Sequence, residues 1–183
     1  MSKHIDLVVI GAGPAGCSAA LQAAALGVGS MLILEKERLP REKVCAGGIS
    51  PRARRFLQRA GLWGQAERAG YPVSAARIRI PGGRVLTLSG SRSTTVVERS
   101  RLDWILAQAA VGAGATLRTS CPVEGLLEEK GRVVGVRTES EDIHAGYIVV
   151  ANGVRSKFSR LGRSRHRWLA CLGRYEGIAF QPH

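Results

Sequence analysis

The chain has 183 residues, with 27 Lys and Arg against 14 Asp and Glu and a formal charge of +13. A chain of this length buries roughly 70% of its unfolded surface, enough for one good core. Cys17, Cys45, Cys121 and Cys171 lie far apart without paired metal-ligand spacing, which excludes a secreted disulfide scaffold and points to a reducing cytoplasm.

From the N-terminus, the apolar run Ile5 to Ile10 reads as a buried strand that ends in Gly11-Ala12-Gly13-Pro14-Ala15-Gly16. A small-residue helix is expected from Pro14 to about Leu26, then a strand from Met31 to Leu34 that delivers Glu35. Strand, glycine turn, helix and acidic strand end together form the pattern that binds an ADP-ribose group. Gly11 permits the sharp turn, Gly13 admits a pyrophosphate because no Cβ intervenes, and Gly16 allows the helix to pack on the strand. Pro14 suits the first helical turn, and the unpaired amides and dipole of that turn face the diphosphate. Glu35 follows Gly16 by 19 residues, a spacing that suits a carboxylate accepting from ribose hydroxyls. The turn alone leaves NAD and FAD open. A signal peptide is rejected because glycines break the apolar run and a βαβ pattern continues beyond it. No stretch of about 18 apolar residues predicts a membrane span.

Residues 38 to 50, with the adjacent Gly47 and Gly48, read as a loop. Ser50-Pro51 reads as an N-cap with Pro at the first helical position, opening a helix to about Ala60 that Gly61 stops. Residues 76 to 80 and 84 to 88 alternate around Pro81-Gly82-Gly83, a β-hairpin signal, and a third strand runs from Thr94 to Glu98. These strands are expected in an antiparallel sheet separate from the parallel one. Ser100 is expected to cap a helix from Arg101 to about Gly112, with Leu102, Ile105, Leu106 and Ala109 on one face and Gly114 as a stop. A strand at Thr116 to Arg118 follows, then a hairpin of Val123 to Glu128 with Val133 to Thr138, and a buried strand at Tyr147 to Ala151 ending in Asn152-Gly153.

The positive charge is scattered rather than striped, with a dense group at Arg155, Lys157, Arg160, Arg163, Arg165, Arg167 and Arg174. Without a recognition helix, zinc finger or aromatic platform, nucleic-acid binding is not expected as the main role. Attraction to anionic cofactors or membrane headgroups uses the charge more economically.

Four blocks together resemble the FAD-dependent monooxygenase-like superfamily, and within it the geranylgeranyl reductases. They are GAGPAG with Glu35, PREKVCAGGIS at 40 to 50, VVERSRLDWILAQAA at 96 to 110, and VVANGVRSKFSRLG at 149 to 162. The resemblance implies an α/β fold: a Rossmann-like FAD-binding βαβ domain over residues 1 to 162, with a parallel sheet. It also implies that residues 75 to 98 are an inserted part of an incomplete antiparallel substrate sheet. FAD rather than NAD is the implied ligand. Its implied contacts are Gly11, Gly13, Pro14, Ala15, Gly16, Glu35, Lys36, Cys45, Ala46, Gly48, Arg99, Val123, Asn152 and Gly153. Two departures stand out. Ala46 replaces a glycine, and Asn152 replaces an Asp, exchanging a charged for a neutral hydrogen bond at a cost of about tenfold in affinity.

The implied activity is hydride transfer from reduced flavin, itself reduced by NAD(P)H or another donor, to C=C bonds of an isoprenoid or lipid-like substrate. The alternatives are a flavin monooxygenase or halogenase, which share the first and third blocks, and a non-catalytic nucleotide-binding fragment. No catalytic acid, base or nucleophile can be named from these residues, and no metal site is expected. Resemblance stops near Gly162, and residues 163 to 183 form a basic tail without it. A Gly-Asp block that would close over the pyrophosphate does not follow. An N-terminal fragment, arising by truncation or frameshift near residue 162, is therefore the expectation, with a small flavin-binding protein bearing a basic tail as the alternative. Cytoplasmic placement follows from the cysteine usage, the positive charge adds peripheral membrane contact as an option, and nothing in the chain sets an oligomeric state.

Overall fold

A computed structural model describes residues 4–154, 156–158 and 177. The basic tail at 163 to 183, with Arg155, Arg160 and Cys171, lies outside the described residues apart from Gly177.

The elements in chain order are β1 (Ile5–Ile10), α1 (Pro14–Ala25), β2 (Met31–Leu34), α2 (Pro51–Arg59), α3 (Trp63–Arg68), β3 (Tyr71–Arg79), β4 (Val85–Val96), α4 (Arg99–Gly112), β5 (Ala115–Arg118), β6 (Val123–Glu129), β7 (Arg132–Thr138) and β8 (Asp142–Val150). One sheet has the order β5-β2-β1-β8-β7-β6. Its first four strands are mutually parallel, and β7 and β6 continue it antiparallel. Parallel neighbours must be reached by crossovers, and α1 and α4 supply them.

The apolar run of β1 serves both faces of that sheet. Leu7 and Val9 join Met31 and Ile33 under α1, α2, α3 and α4, whereas Val8 and Ile10 join Leu32, Leu34, Val136 and Ile143 on the opposite face. Burial on both faces is why a continuous Val/Ile/Leu run, rather than an alternating one, makes this strand. The two core clusters therefore clamp the sheet from both sides and fix the ends of β1, β2 and β8 beside one another.

The α/β class, the parallel βαβ unit and a separate antiparallel ribbon match the expectation. Local boundaries differ in five places. The strand expected at Tyr147 to Ala151 begins at Asp142 and is not buried throughout, with Tyr147 78% and Val150 39% exposed. Tyr147 pairs with Leu7 on the helix-covered face, but α1 reaches only part of β8. Ser100 does not cap α4: the helix starts at Arg99, and Glu98 holds the N-cap position without a side-chain cap bond. The strands expected at 84 to 88 and 94 to 98 are one strand, β4, whose pairing with β3 jumps from Ser89 opposite Ala75 to Thr94 opposite Val73. Helix α3 has no expected counterpart. Strand β3 starts at Tyr71 rather than near Ala75.

Other local signals act as read. Ser50 Oγ accepts from the Ala53 amide at 3.2 Å, with Pro51 at the first position of α2. The Lys130-Gly131 turn between β6 and β7 has φ of 48° and 75°, the left-handed pair that two-residue hairpins favour.

Candidate functional site

Strand β1 reaches the glycine turn with its last residues fully packed, so the turn emerges at the carboxyl edge of the sheet. Gly11 adopts φ 104°, and a Cβ there would lie 2.7 Å from the Ala151 carbonyl oxygen. Gly16 is equally constrained, since its Cβ would sit 1.9 Å from the Gly11 oxygen and 3.0 Å from Val9 Cγ1. These two glycines serve the turn and the helix–strand packing. Gly13 differs. A Cβ there would meet only the Nη2 atoms of Arg41 and Arg99, each at 3.8 Å, so its missing side chain leaves room on the open side.

The strand order reverses between β1 and β8, and ligands of open α/β sheets bind in the crevice at such a point. A cleft of about 650 Å³ lies there. It is lined by Gly11, Gly13, Pro14, Ala15, Glu35, Lys36, Arg99, Val123, Asn152 and Gly153 among the expected residues. Asn152-Gly153 reaches this rim because the Ala151 amide donates to the Ile10 oxygen at 2.9 Å and extends the β1–β8 pairing. Val123 is placed by the chain after β5, where the Ser120 and Cys121 amides donate to the Glu37 and Glu35 oxygens.

Gly16 lies behind the cleft wall, in the packing just described. Cys45, Ala46 and Gly48 are exposed and outside the lining. Their loop is nonetheless fixed. The Val97 amide donates to the Gly47 oxygen at 2.9 Å, the Ile49 amide to the Thr95 oxygen at 2.9 Å, and Thr94 Oγ1 to the Ile49 oxygen at 2.6 Å. Gly47, read as a loop residue but not among the implied FAD contacts, is the glycine this zipper requires: it has φ 73°, and a Cβ would lie 2.4 Å from the Val97 oxygen. Docked on the end of β4, the loop stands beside Arg99, whose guanidinium feels the Cys45 side chain.

Beneath the turn lies a cluster of four charged groups. Glu35 is 4% exposed. Its Oε2 accepts from the Ala12 amide at 2.9 Å and its Oε1 from the Glu37 amide at 3.1 Å. Glu35 therefore braces the glycine turn in addition to facing the cleft. Arg99 donates Nε to Asp103 Oδ1 at 2.7 Å and Nη2 to Oδ2 at 2.9 Å. Asp103 is fully buried, so the Arg99 pair is an interior one. This bidentate bond is the main reason the Arg99 guanidinium is held above its ordinary pKa. Arg41 completes the cluster with Nη2 3.4 Å from Glu35 Oε2 and Nη1 3.1 Å from Asp103 Oδ2. Asp103 is thus an ion-pair residue, as its helix position suggests. Arg41 was absent from the expected site, because nothing local in the sequence ties it to Glu35 or Asp103.

The donor set suits a dinucleotide diphosphate: first-turn amides without helical partners, a helix N-terminus and two guanidinium groups around an open glycine. Among the described residues no cluster of His, Cys, Asp or Glu could hold a metal, and no helix is long and apolar enough to cross a membrane.

Known proteins carry the same frame. The chain is 36% identical over 161 residues to digeranylgeranylglycerophospholipid reductase 2 of Methanopyrus kandleri, covering 86% of this chain and 39% of the relative. It is 32% identical over 176 residues to the menaquinone reductase of Mycolicibacterium smegmatis, covering 91% of this chain and 42% of the relative. Among solved structures, a geranylgeranyl bacteriochlorophyll reductase-like protein of Thermoplasma acidophilum superposes with TM-score 0.71 at 30% identity, covering 84% of this chain and 40% of the other. The myxobacterial chondrochloren halogenase CndH superposes with TM-score 0.76 at 29% identity, covering 85% and 38%. The chain therefore spans about two fifths of the length of these relatives. The family model described as FAD binding domain matches residues 4–166. With the glycine turn, the braced acid and the two guanidinium groups all present, the chain belongs to the FAD binding domain family, is related to the geranylgeranyl reductases, and has FAD as its cofactor.

Proposed function

We propose that this chain is the FAD-holding part of an oxidoreductase that reduces C=C bonds of isoprenoid lipids. The observation that carries the reading is the 40 to 50 loop, the block most particular to the geranylgeranyl reductases, fixed to the end of β4 beside the cleft. The relatives' names, which specify digeranylgeranylglycerophospholipid and menaquinone reductases, support a lipid-like substrate.

In this reading the amide of Ala15 and the dipole of α1 hold the diphosphate against Gly13. Glu35 keeps one acceptor direction for the adenosine ribose while its other lone pairs brace the turn. Lys36, 71% exposed at the rim, adds positive potential with little geometric constraint. Val123 meets the adenine end through its backbone, and Asn152 with Gly153 receives the ribityl chain. Cys45, Ala46 and Gly48 face the flavin end, where the exposed Ala46 methyl points away from the packed core. Bound FAD supplies the hydride chemistry, and the chain's residues orient it. NAD(P)H is the proposed electron donor.

The β3–β4 ribbon belongs, in this reading, to the substrate side. Its paired Ile78 and Leu86, with Ile80 and Leu88, leave an apolar face 42–52% exposed, a face that a lipid-handling sheet would cover. Single-turnover reduction of a geranylgeranyl lipid by the photoreduced, FAD-loaded chain under anaerobic conditions tests the activity. Saturated product supports the reading, and a chain that retains no FAD to reduce counts against it.

A second reading, a flavin halogenase or monooxygenase, is favoured by the CndH superposition. Oxygen-dependent consumption of reduced nicotinamide with hydroxylated or halogenated product would select it.

A further inference from the structure

We infer that Arg41 is a diphosphate-binding residue, a loop-borne cation that pairs with Arg99 across Gly13. The inference rests on the FAD-site reading and adds a residue to it. Three observations meet at this side chain. Arg41 lines the cleft, and its Nη2 lies 3.8 Å from the position that a Gly13 Cβ would occupy, the same distance as Arg99 Nη2. The two guanidiniums therefore flank the one point of the turn left open by the absence of a side chain.

Second, Arg41 is under-used where it stands. Its side chain is 14% exposed, yet its contact with Glu35 is long at 3.4 Å. Its Nη1 is buried without a hydrogen-bond partner, because the 3.1 Å approach to Asp103 Oδ2 lacks hydrogen-bond geometry. A buried, charged donor left unmade is costly, and such atoms call for an explanation. Arg99, by contrast, spends Nε and Nη2 on Asp103 in a full fork. The fork uses two of the five N–H groups of Arg99, whereas Arg41 holds a buried Nη1 with no acceptor at all.

Third, within this four-residue cluster the charges balance without ligand. Glu35 and Asp103 neutralise Arg41 and Arg99, so an arriving diphosphate must draw on a cation able to turn toward it. Arg41 sits on the loop between β2 and α2, where its contact with Glu35 is a single long hydrogen bond. Asp103, still held by Arg99, keeps its own partner when Arg41 turns. The result is an exchange of a poorly made carboxylate contact for a charge-assisted, planar contact with phosphate oxygens.

The test is calorimetric titration of the full chain with FAD, ADP and adenosine, on the unmodified protein, Arg41→Gln and Arg41→Lys. Arg41→Gln is expected to weaken FAD and ADP by about 10- to 100-fold, the range of a lost charged hydrogen bond, and to leave adenosine within about threefold. Arg41→Lys retains the charge and recovers part of the ADP affinity. The salt dependence of ADP binding falls in Arg41→Gln. Equal weakening of ADP and adenosine would assign Arg41 a purely structural role, and unchanged ADP affinity would remove it from the site; either overturns the inference. Failure of the unmodified chain to bind FAD or ADP is a separate outcome, which sinks the FAD-site reading itself. Should Arg41→Gln lower folding stability through the unpaired Glu35, the Lys variant still decides, since it keeps the charge and loses only the fork.

Discussion

Arg99 and Asp103 face one another one helical turn apart on α4, joined by two hydrogen bonds of 2.7 and 2.9 Å, with the carboxylate wholly buried. Removing one partner of such a pair leaves an uncompensated charge, which costs about 3 kcal/mol or more. Asp103→Ala is therefore expected to lower the melting temperature by about 6–12 °C at this chain length, read by calorimetry. A change smaller than about 2 °C would show that water reaches Arg99 and replaces the carboxylate.

The glycines of the turn should separate by role. Gly16→Ala forces a Cβ to within 1.9 Å of backbone oxygen. Backbone cannot rotate away, so a loss of about 2 kcal/mol or more in stability is expected by denaturant unfolding. Gly13→Ala meets only guanidinium nitrogens at 3.8 Å. It should fold with near-normal stability and bind FAD about tenfold more weakly, or worse, because the methyl takes ligand space. Equal destabilisation by both changes would show that Gly13 serves folding alone.

Cysteine chemistry provides a third check. Burial, aided by the nearby Asp103 and Glu35 charges, pushes the Cys17 thiol up to about 12. At pH 8 it carries only about one part in ten thousand thiolate, whereas Cys45 is exposed. Mass mapping after iodoacetamide treatment should find Cys45 alkylated and Cys17 modified only on unfolding. Addition of FAD should slow Cys45 labelling if that loop meets the flavin. Rapid labelling of folded Cys17 would contradict the packing of α1 on β1.

The Asp6 carboxylate joins the starts of β1 and β2, accepting from the Ser30 amide at 2.7 Å and from Ser30 Oγ at 2.9 Å. The backbone bond is the first cause of its lowered pKa, followed by the hydroxyl bond. A folded pKa below the unfolded 3.8 stabilises the fold fully above that pH, and the contribution is lost as pH falls through the lower folded value. Asp6→Asn should flatten that acid arm of the stability curve. An unchanged acid arm would place the pH dependence elsewhere, with the Arg137-bound Asp142 the next group to test.

What the sequence made readable was local chemistry. The Gly11 to Gly16 turn, the Ser50 cap and the Lys130-Gly131 hairpin each depend on residues within a few positions. The helix Trp63–Arg68 carries Gly64 and too few residues for a helical period, so its stability comes from Ala66 and Leu62 packed in the helix-side core. The single β4 strand passes through Ser-Gly-Ser-Arg-Ser, a turn-like composition that pairing with β3 overrides. The Glu35–Arg41–Asp103–Arg99 cluster draws on a strand end, a loop and a helix. Only Arg99–Asp103 shows the helical spacing that hints at contact; Arg41 is brought in by the tertiary fold. Likewise, the resemblance singled out Ala46 and Gly48, whereas backbone sterics single out Gly47.

The central claim is that the cleft between the ends of β1 and β8 holds FAD. The visible absorbance and thermal unfolding of the purified chain, followed while FAD is added, test it most directly. The account predicts a flavin spectrum that stays with the protein through gel filtration and a saturable rise in melting temperature. A colourless protein whose unfolding is unmoved by excess FAD would contradict it.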